Sequence, residues 1–488
     1  MVTAEQLRQV VGEENVSDDP AVLAAYASDQ SFVSRLSPHY VVRIPSCDAV
    51  PELVRLARET RTSLVPVSSG APHFHGDTVP SAGDAIIVDL SGLKTIDLVD
   101  PKERVASAVG AGVTFGELMT AVAEHGLRLN LPLRPRATKS VVGSLLSREP
   151  VIMPHYHWDI CDPAGSMEVV FGTGDLFRTG AAAGPGTLAE QRAAGGRQKE
   201  AAGPSAMSLH RLLQGGQGTM GIVTWASVRC ELIPTLEQPC FVASDDLAKL
   251  LQAAHWLVRL RLGNELFLMD RVYFAALVAE EGETFLQLAK EAPSWLLFFN
   301  LGAYRYLPEL RIEGQSADAR ELLQRLGLEA KPSLAGVSAW EFLEQVRSPS
   351  PEPYWKLRLC GGCQDVFFLT TYKKLQGLID VMRAAVEAAG FSLSRLGIYL
   401  QPIVQGTSCH VEFSLFYDRA DARESATVRE LAIRVIGPLL AGGAFFSRPF
   451  GEAARLIMNR DAATVEALKK FKAIVDPDGI LNPGKLCF

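Results

Sequence analysis

The sequence lacks any run of about 18 apolar residues, which excludes a transmembrane helix. Its N-terminus, MVTAEQLRQVVGEENV, lacks the basic start and apolar middle of a secretion signal, so the expected location is cytoplasmic. Positive charge is not in excess. The net charge of −7 supplies no global field for nucleic acid or anionic lipid. A disulfide framework is also missing. Eight cysteines are scattered through 488 residues, and only Cys360 and Cys363 form a C-x-x-C pair. One such pair cannot complete a four-cysteine metal site, so its reading is structural, with redox or metal roles as the alternative. No repeat of fixed period is present.

What the chain does have is apolar material. It is 48% hydrophobic and 21% charged, ordinary for an enzyme of two or three domains. YVVRIPS reads as a strand, and DAVPELVRLARET as an amphipathic helix with Asp48 as its cap. SLVPVSSG and AIIVDLSGL are apolar strands. Thr114 and Glu117 form a capping box ahead of a helix over 114–125. The Ala-, Gly- and Pro-rich stretch 180–206 holds few large apolar residues and is expected to be a mobile or surface excursion. Beyond about residue 237, helices at 245–262, 318–327 and 372–389 alternate with strands at 295–302, 365–371, 395–402 and 409–417. The fold class is α+β. Expected domains are 1–237, a cap over 238–455, and a helix and tail over 456–488 that returns to the first domain.

Three small-residue segments carry the chemistry. In VPVSSGAPHFHGD a strand runs into Ser68, Ser69 and Gly70. Backbone N–H groups in such a turn can surround an anion such as a pyrophosphate, although an ordinary glycine turn has the same composition. PLRPRATKSVVGSLLS offers Thr138, Ser140 and Gly143 to phosphate or ribose. LLQGGQGTMGIVT leads a glycine turn into a strand whose backbone could lie against a flat ring.

Taken in order, these segments resemble the FAD-binding domain of the vanillyl-alcohol oxidase and p-cresol methylhydroxylase superfamily. YVVRIPSCDAVPELVRLA, VPVSSG, AIIVDLSGLKTI with VGAGVTFGELMTAVAEHGLRL, FGTGDLFRTG, QGTMGIVTWASVRCELIP and the terminal VDPDGILNPGKL all fit its pattern. The likeness covers roughly residues 38–237 and the tail. It implies a two-part PCMH-type FAD-binding domain and a cap with an antiparallel sheet. It implies FAD as cofactor, with contacts at Ser68, Ser69, Gly70, Pro132, Thr138, Ser140, Gly143, Gly218 and Ile222, and with Asn482 and Lys485 reaching the flavin edge. The first loop departs from the pattern by carrying His73 and His75 where many relatives have glycines. The resemblance leaves these either bonded to the flavin or bonded to phosphate and backbone. Residues 153–163, with His155, Tyr156, His157 and Asp159, replace a glycine-rich segment. They are read as packed or hydrogen-bonded groups, with flavin-pocket lining and metal ligation as alternatives. The G-D-G-N-x-H metal motif of the hydroxy-acid relatives is absent, so no metal is expected and the substrate leans toward an aromatic or alicyclic alcohol.

In the cap, LGIYLQPIVQG and CHVEFSLFYD read as an antiparallel hairpin. Side-chain alternation puts Tyr399 and Gln401 on one face, and His410, Glu412 and Ser414 likewise share a face. His suits a base that takes the substrate proton, with Tyr399 acting through it and Glu412 fixing its tautomer. A hydrogen-bonded sheet surface without catalytic role is the competing reading. YWKLR places Lys356 and Arg358 to hold a substrate carboxylate, with a solvated strand as the alternative. The expected activity is an FAD-dependent dehydrogenase or oxidase, passing electrons to an iron–sulfur or similar partner, or to oxygen. The competing functions are a flavin-bearing electron-transfer subunit with no substrate of its own, and a non-redox flavoprotein.

Overall fold

In a computed structural model the protein is described at residues 2–154, 163–205 and 207–488. The segment with His155, Tyr156, His157 and Asp159 lies outside the described residues.

The first sheet combines Val16–Ser17 with β1 (Tyr40–Arg43), β2 (Leu64–Val67) and β3 (Ile86–Asp89). β3 pairs in parallel with β1 and β2, and it is buried at every residue. A central parallel strand is covered on both faces, hence the unbroken apolar run IIV. The helix Ala49–Thr60 buries Val50, Leu53, Val54 and Ala57, as its spacing requires. Asp48 precedes it with helical backbone angles and makes no side-chain cap bond, contrary to expectation.

The second sheet has β4 (Ile96–Asp100), β5 (Val105–Gly110), β6 (Ala164–Val170), β7 (Leu176–Arg178) and β8 (Ile222–Leu232), in the order β4-β5-β8-β6-β7. The Thr114–Glu117 capping box forms as read, starting the helix Phe115–Ala123. The stretch 180–205 runs over the surface, as read, and is tied down on this sheet. Ser107 donates to Gln198 (3.2 Å), Ser166 donates to the Glu200 carbonyl (2.6 Å), and Ala182 packs on Trp225. Hydrogen bonds to buried sheet serines replace the apolar anchors it lacks.

The cap is a seven-stranded antiparallel sheet in the order Ala330–Lys331, β9 (Leu236–Ser244), β11 (Trp295–Ala303), β10 (Leu266–Asp270), β13 (Leu396–Ile403), β14 (Ser408–Asp418), β12 (Gly361–Thr370). One face packs on helices Leu247–Arg259 and Leu375–Ala388. The other carries a cluster with Phe267, Phe298, Phe342, Tyr273 and Tyr399. The helix Ala462–Val475 then leads the chain back to the first sheet. Leu64 donates to the Ile480 carbonyl (2.8 Å), and Asn482 N donates to the Leu64 carbonyl (2.8 Å). No helix among the described residues is long and apolar enough to cross a membrane.

Candidate active site and cofactor cavity

A cavity of about 220 Å³ lies where the two halves of the first domain meet the cap. One end is built from turns of small residues. Ser68 and Ser69 follow β2, Gly143 sits in the helix Val141–Ser147, and Gly215, Gly218 and Gly221 precede β8. The close approach requires the glycines. A Cβ at Gly143 would meet the Ser68 Oγ at 2.8 Å. Gly218 has φ +73°, and a Cβ there would meet Pro66 Cγ at 2.5 Å. Arg136 and Lys139 line the same cavity, the latter paired with Glu149 at 2.7 Å. Small residues, exposed backbone and cations suit an extended anionic group such as a pyrophosphate.

The other proposed cofactor contacts divide into wall and support. Pro132, His73 and His75 line the cavity. Gly70 and Thr138 brace the turn, because Gly70 N donates to the Thr138 carbonyl (3.0 Å) and Thr138 Oγ1 donates to the Ala71 carbonyl (2.9 Å). Ser140 caps its helix by accepting from Gly143 N at 2.9 Å. Ile222 is wholly buried in β8, off the cavity wall. Asn482 Nδ2 donates to the Asp77 and Gln217 carbonyls (2.8 and 2.7 Å), and Lys485 Nζ to those of Gly76 and Val79 (2.8 and 2.7 Å). These tail residues therefore hold the 66–80 loop and the 215–221 turn from behind. His75 stacks on Phe450 with ring centres 4.3 Å apart. Burial pushes both His73 and His75 down to about 3, so each imidazole is neutral near pH 7.

The cap end is lined by Tyr273, Tyr354, Trp355, Lys356, Asp365, Phe367, Tyr399 and Glu412. Sheet register explains their convergence. β13 and β14 form the expected antiparallel hairpin, pairing Tyr399 with Glu412, Gln401 with His410 and Gly397 with Ser414. β12 adds Phe367 opposite Glu412 and Asp365 opposite Ser414. Paired residues project to the same face, so polar groups from separate strands share one surface.

That surface holds a buried ion cluster. Lys356 Nζ lies 2.6 Å from Glu412 Oε1 and 2.7 Å from Asp365 Oδ2. Tyr273 donates to Glu412 Oε1 (2.8 Å), and Ser414 to Asp365 Oδ1 (2.7 Å). Burial opposes the charge on Lys356, but Asp365 and Glu412 outweigh it and hold the ammonium well above its usual range. Burial likewise raises Glu412, yet Lys356 and then His410 bring it below the usual carboxylate range. Asp365 stays raised by burial, with the Glu412 charge adding to it against Lys356.

His410 is fully buried, off the cavity wall, with Nε2 3.9 Å from Glu412 Oε2. Burial lowers it to about 4, so it is neutral near pH 7. Tyr399 donates to Gln401 Oε1 (2.6 Å) and so is not relayed through His410. Gln401, also buried, donates to the Leu266 and Pro402 carbonyls (2.9 and 3.0 Å) and holds the tyrosine without touching the cavity. YWKLR is a helix over Trp355–Arg358 instead of a solvated strand, with Trp355 and Lys356 buried. Arg358 turns away to the Leu277 carbonyl (3.3 Å), while Lys356 enters the cavity. Cys360 and Cys363 are both free thiols.

Sequence reasoning missed Tyr273, Asp365, Phe367, Arg448 and Phe450. Asp365 left a trace, a lone acid at the head of the apolar strand DVFFL. Tyr273 left none, since its helix reads as plain core.

Residues 38–180 match the FAD binding domain family, and residues 451–486 match the C-terminal domain of FAD-linked oxidases. A glycolate oxidase subunit of Bacillus subtilis is 30% identical over 48% of this chain and 45% of its own length. The 4-cresol dehydrogenase flavoprotein subunit of Pseudomonas putida is 26% identical over 59% of this chain and 53% of its own. The chain thus spans about half the length of these curated relatives. The fold is that of p-cresol methylhydroxylase, whose substrate-bound crystal structure superposes with a TM-score of 0.81 at 18% identity, over 99% of this chain and 95% of that one. The chain thus carries an FAD binding domain and the C-terminal domain of FAD-linked oxidases on that fold.

Proposed function

We propose that this protein is an FAD-dependent oxidoreductase acting on a hydroxylated, ring-bearing substrate. The observation that carries the reading is the buried Lys356–Glu412–Asp365–Tyr273 cluster facing the cavity that fits FAD. Ser68, Ser69 and Gly143 hold the pyrophosphate, Gly218 and Pro132 line the cofactor, and Asn482 and Lys485 fix the loops around it. Bound FAD supplies a two-electron acceptor for the hydride that leaves the substrate carbon.

The chain's own residues handle the proton. The substrate hydroxyl donates to Glu412, which Lys356 keeps ionised. As the hydride leaves, the proton passes to Glu412 and is shared through Lys356 with Asp365, the acid that burial raises. Tyr273 and Tyr399 orient the oxygen. His410 is a positioning residue behind Glu412.

An aromatic or alicyclic alcohol or phenol fits better than a small hydroxy acid. Lys356 already serves two carboxylates, Arg358 faces elsewhere, and Arg448 donates to the Ser147 carbonyl (3.0 Å) while its guanidinium lies 4.4 Å from the Phe367 ring centre. A carboxylate arriving at Glu412 would meet repulsion. The name of the cresol dehydrogenase relative, a flavoprotein subunit, supports electron delivery to a partner protein, with oxygen as the other acceptor.

The test is anaerobic mixing of the FAD-loaded protein with 4-methylphenol, benzyl alcohol and a 2-hydroxy acid. Bleaching of the flavin by the ring compounds is expected. E412Q should slow that reduction about 10²–10⁴-fold. Reduction of E412Q at the wild-type rate refutes the assignment. Bleaching only by a reduced partner protein would support the electron-transfer subunit instead.

A further inference from the structure

The cap carries a second chemically distinct surface, away from the cofactor cavity. β9, β10 and β11 lie on the side of the sheet away from β12. Antiparallel register brings the end of β11, at Ala303, beside the starts of β9 and β10. Two connections meet at this end. One follows the helix Leu247–Arg259, and the other leads from β11 into the helix Pro308–Arg325. They are held together, because Asn264 N donates to the Asn300 carbonyl (2.7 Å) and Tyr304 donates to Asn264 Oδ1 (3.4 Å).

Large apolar side chains stand in solvent here. Tyr306, Leu307 and Leu310 are 71%, 68% and 64% exposed, and Trp256 and Leu260 are half-exposed. Arg259, Arg261, Arg305 and Arg311 are interleaved with them, all exposed. Among the described residues none of these four arginines enters a salt bridge. Over 256–264 and 304–313 the acids are Glu309 and Glu313, so the end is locally cationic. Leu307 sits there against its backbone preferences. It has left-handed angles, φ 50° and ψ 53°, which glycine or asparagine adopts with less strain. It also occupies the N-cap of the helix Pro308–Arg325, where Ser, Thr, Asp or Asn would supply a bond that leucine does not. The chain forgoes both advantages and holds a hydrocarbon group in water, the kind of outlier that points to function.

We propose that this end of the cap docks on a lipid surface with anionic headgroups. Tyr306 and Trp256 sit at the headgroup level, where amphipathic rings are favoured. Leu260, Leu307 and Leu310 enter the acyl boundary beside them. The arginines lay their stems along that apolar layer and bring their guanidinium groups to the anionic headgroups. The net charge of −7 opposes the approach of the rest of the molecule, so the four arginines set its orientation. A second copy of the chain is the poorer occupant, because a two-fold axis would set these arginines against their own equivalents. None of these residues lines the cofactor cavity, so the docking is independent of the substrate proposed above.

The experiment is co-sedimentation of the FAD-loaded protein with vesicles of phosphatidylcholine containing phosphatidylglycerol, and with vesicles of phosphatidylcholine alone. Binding to the anionic vesicles is expected, and salt should weaken it. R305Q/R311Q should weaken it about 25-fold, at ~1 kcal/mol per cation near the surface. L307S/L310S should weaken it about tenfold per leucine, at ~1.5 kcal/mol for each side chain buried. Both variants should keep the FAD content of the wild type, which separates lost docking from lost folding. Quenching of tryptophan fluorescence by brominated acyl chains should shrink in W256F. No sedimentation with anionic vesicles, or sedimentation unchanged in both double variants, overturns the proposal. Equal binding to phosphatidylcholine alone, or a dimer in solution that L307S/L310S dissolves, overturns it as well.

Discussion

Replacing Lys356 by Met removes the one ammonium shared by Glu412 and Asp365, whose side chains are each only 15% exposed. Both carboxylates would remain in place facing one another, with Tyr273 and Ser414 as their main donors. Breaking a buried pair by deleting one partner costs about 3–5 kcal/mol, mostly the charge left uncompensated. For a cooperative unit of about 150–250 residues this corresponds to a fall in Tm of roughly 6–20 °C. The assay is thermal unfolding at one fixed FAD concentration, because ligand binding itself shifts Tm. The neutral triple variant K356M/D365N/E412Q should recover most of the loss, since it removes the stranded charges too. The pH dependence has a definite sign. Lys356 has a raised folded pKa, so its contribution is full below about 10.4 and is lost as pH rises through the folded value. Glu412 has a depressed one, so its contribution is present above about 4.3 and is lost as pH falls through the folded value. Asp365, raised by burial, opposes Glu412 at the acid end. A K356M protein that melts within 1 °C of wild type across that plateau would refute the buried-cluster reasoning.

G143A should sharply lower the FAD content of purified protein, because the new methyl presses the Ser68 Oγ toward the cavity; flavin absorbance per chain reads this directly. N482A leaves the Asp77 and Gln217 carbonyls without their shared donor and should cost about 1–3 kcal/mol, visible in chemical denaturation and as faster FAD release. Apoprotein stability should fall as pH drops from about 6.5 toward 3, where the unfolded chain protonates His75 and the folded chain does not. H75F should flatten part of that acid limb. The rate of flavin reduction should show no ionisation of His410 between pH 5 and 8, given its value of about 4, and a step near 6.5 that disappears in H410Q would contradict its placement.

Much of the fold was legible because its signals are local. The parallel strands are continuous apolar runs, the Thr114–Glu117 box is a three-residue spacing, and the β13–β14 hairpin is alternation across a short turn. The small-residue turns were legible for the same reason, since close backbone approach demands glycine and serine at set positions. Local signals also misled. Asp48 and YWKLR were assigned from neighbours alone, and the tertiary packing placed Trp355 and Lys356 inside. The 180–205 stretch looked unanchored because its partners, Ser107 and Ser166, are distant in sequence.

The sequence by itself determined the α+β class, the likeness to an FAD binding domain and the turns of small residues, because each depends on residue types at short fixed spacings. Only the tertiary structure decided which cap residues line the cavity. Lys356 comes from a helix, Asp365 and Glu412 from neighbouring strands, and Tyr273 from a second helix. It also reversed the roles within YWKLR and moved His410 from the cavity to a place behind Glu412. The physical reason is desolvation. Which ionisable group keeps its charge depends on who shares its buried space, and that is set by sheet register and domain packing across more than a hundred residues of chain.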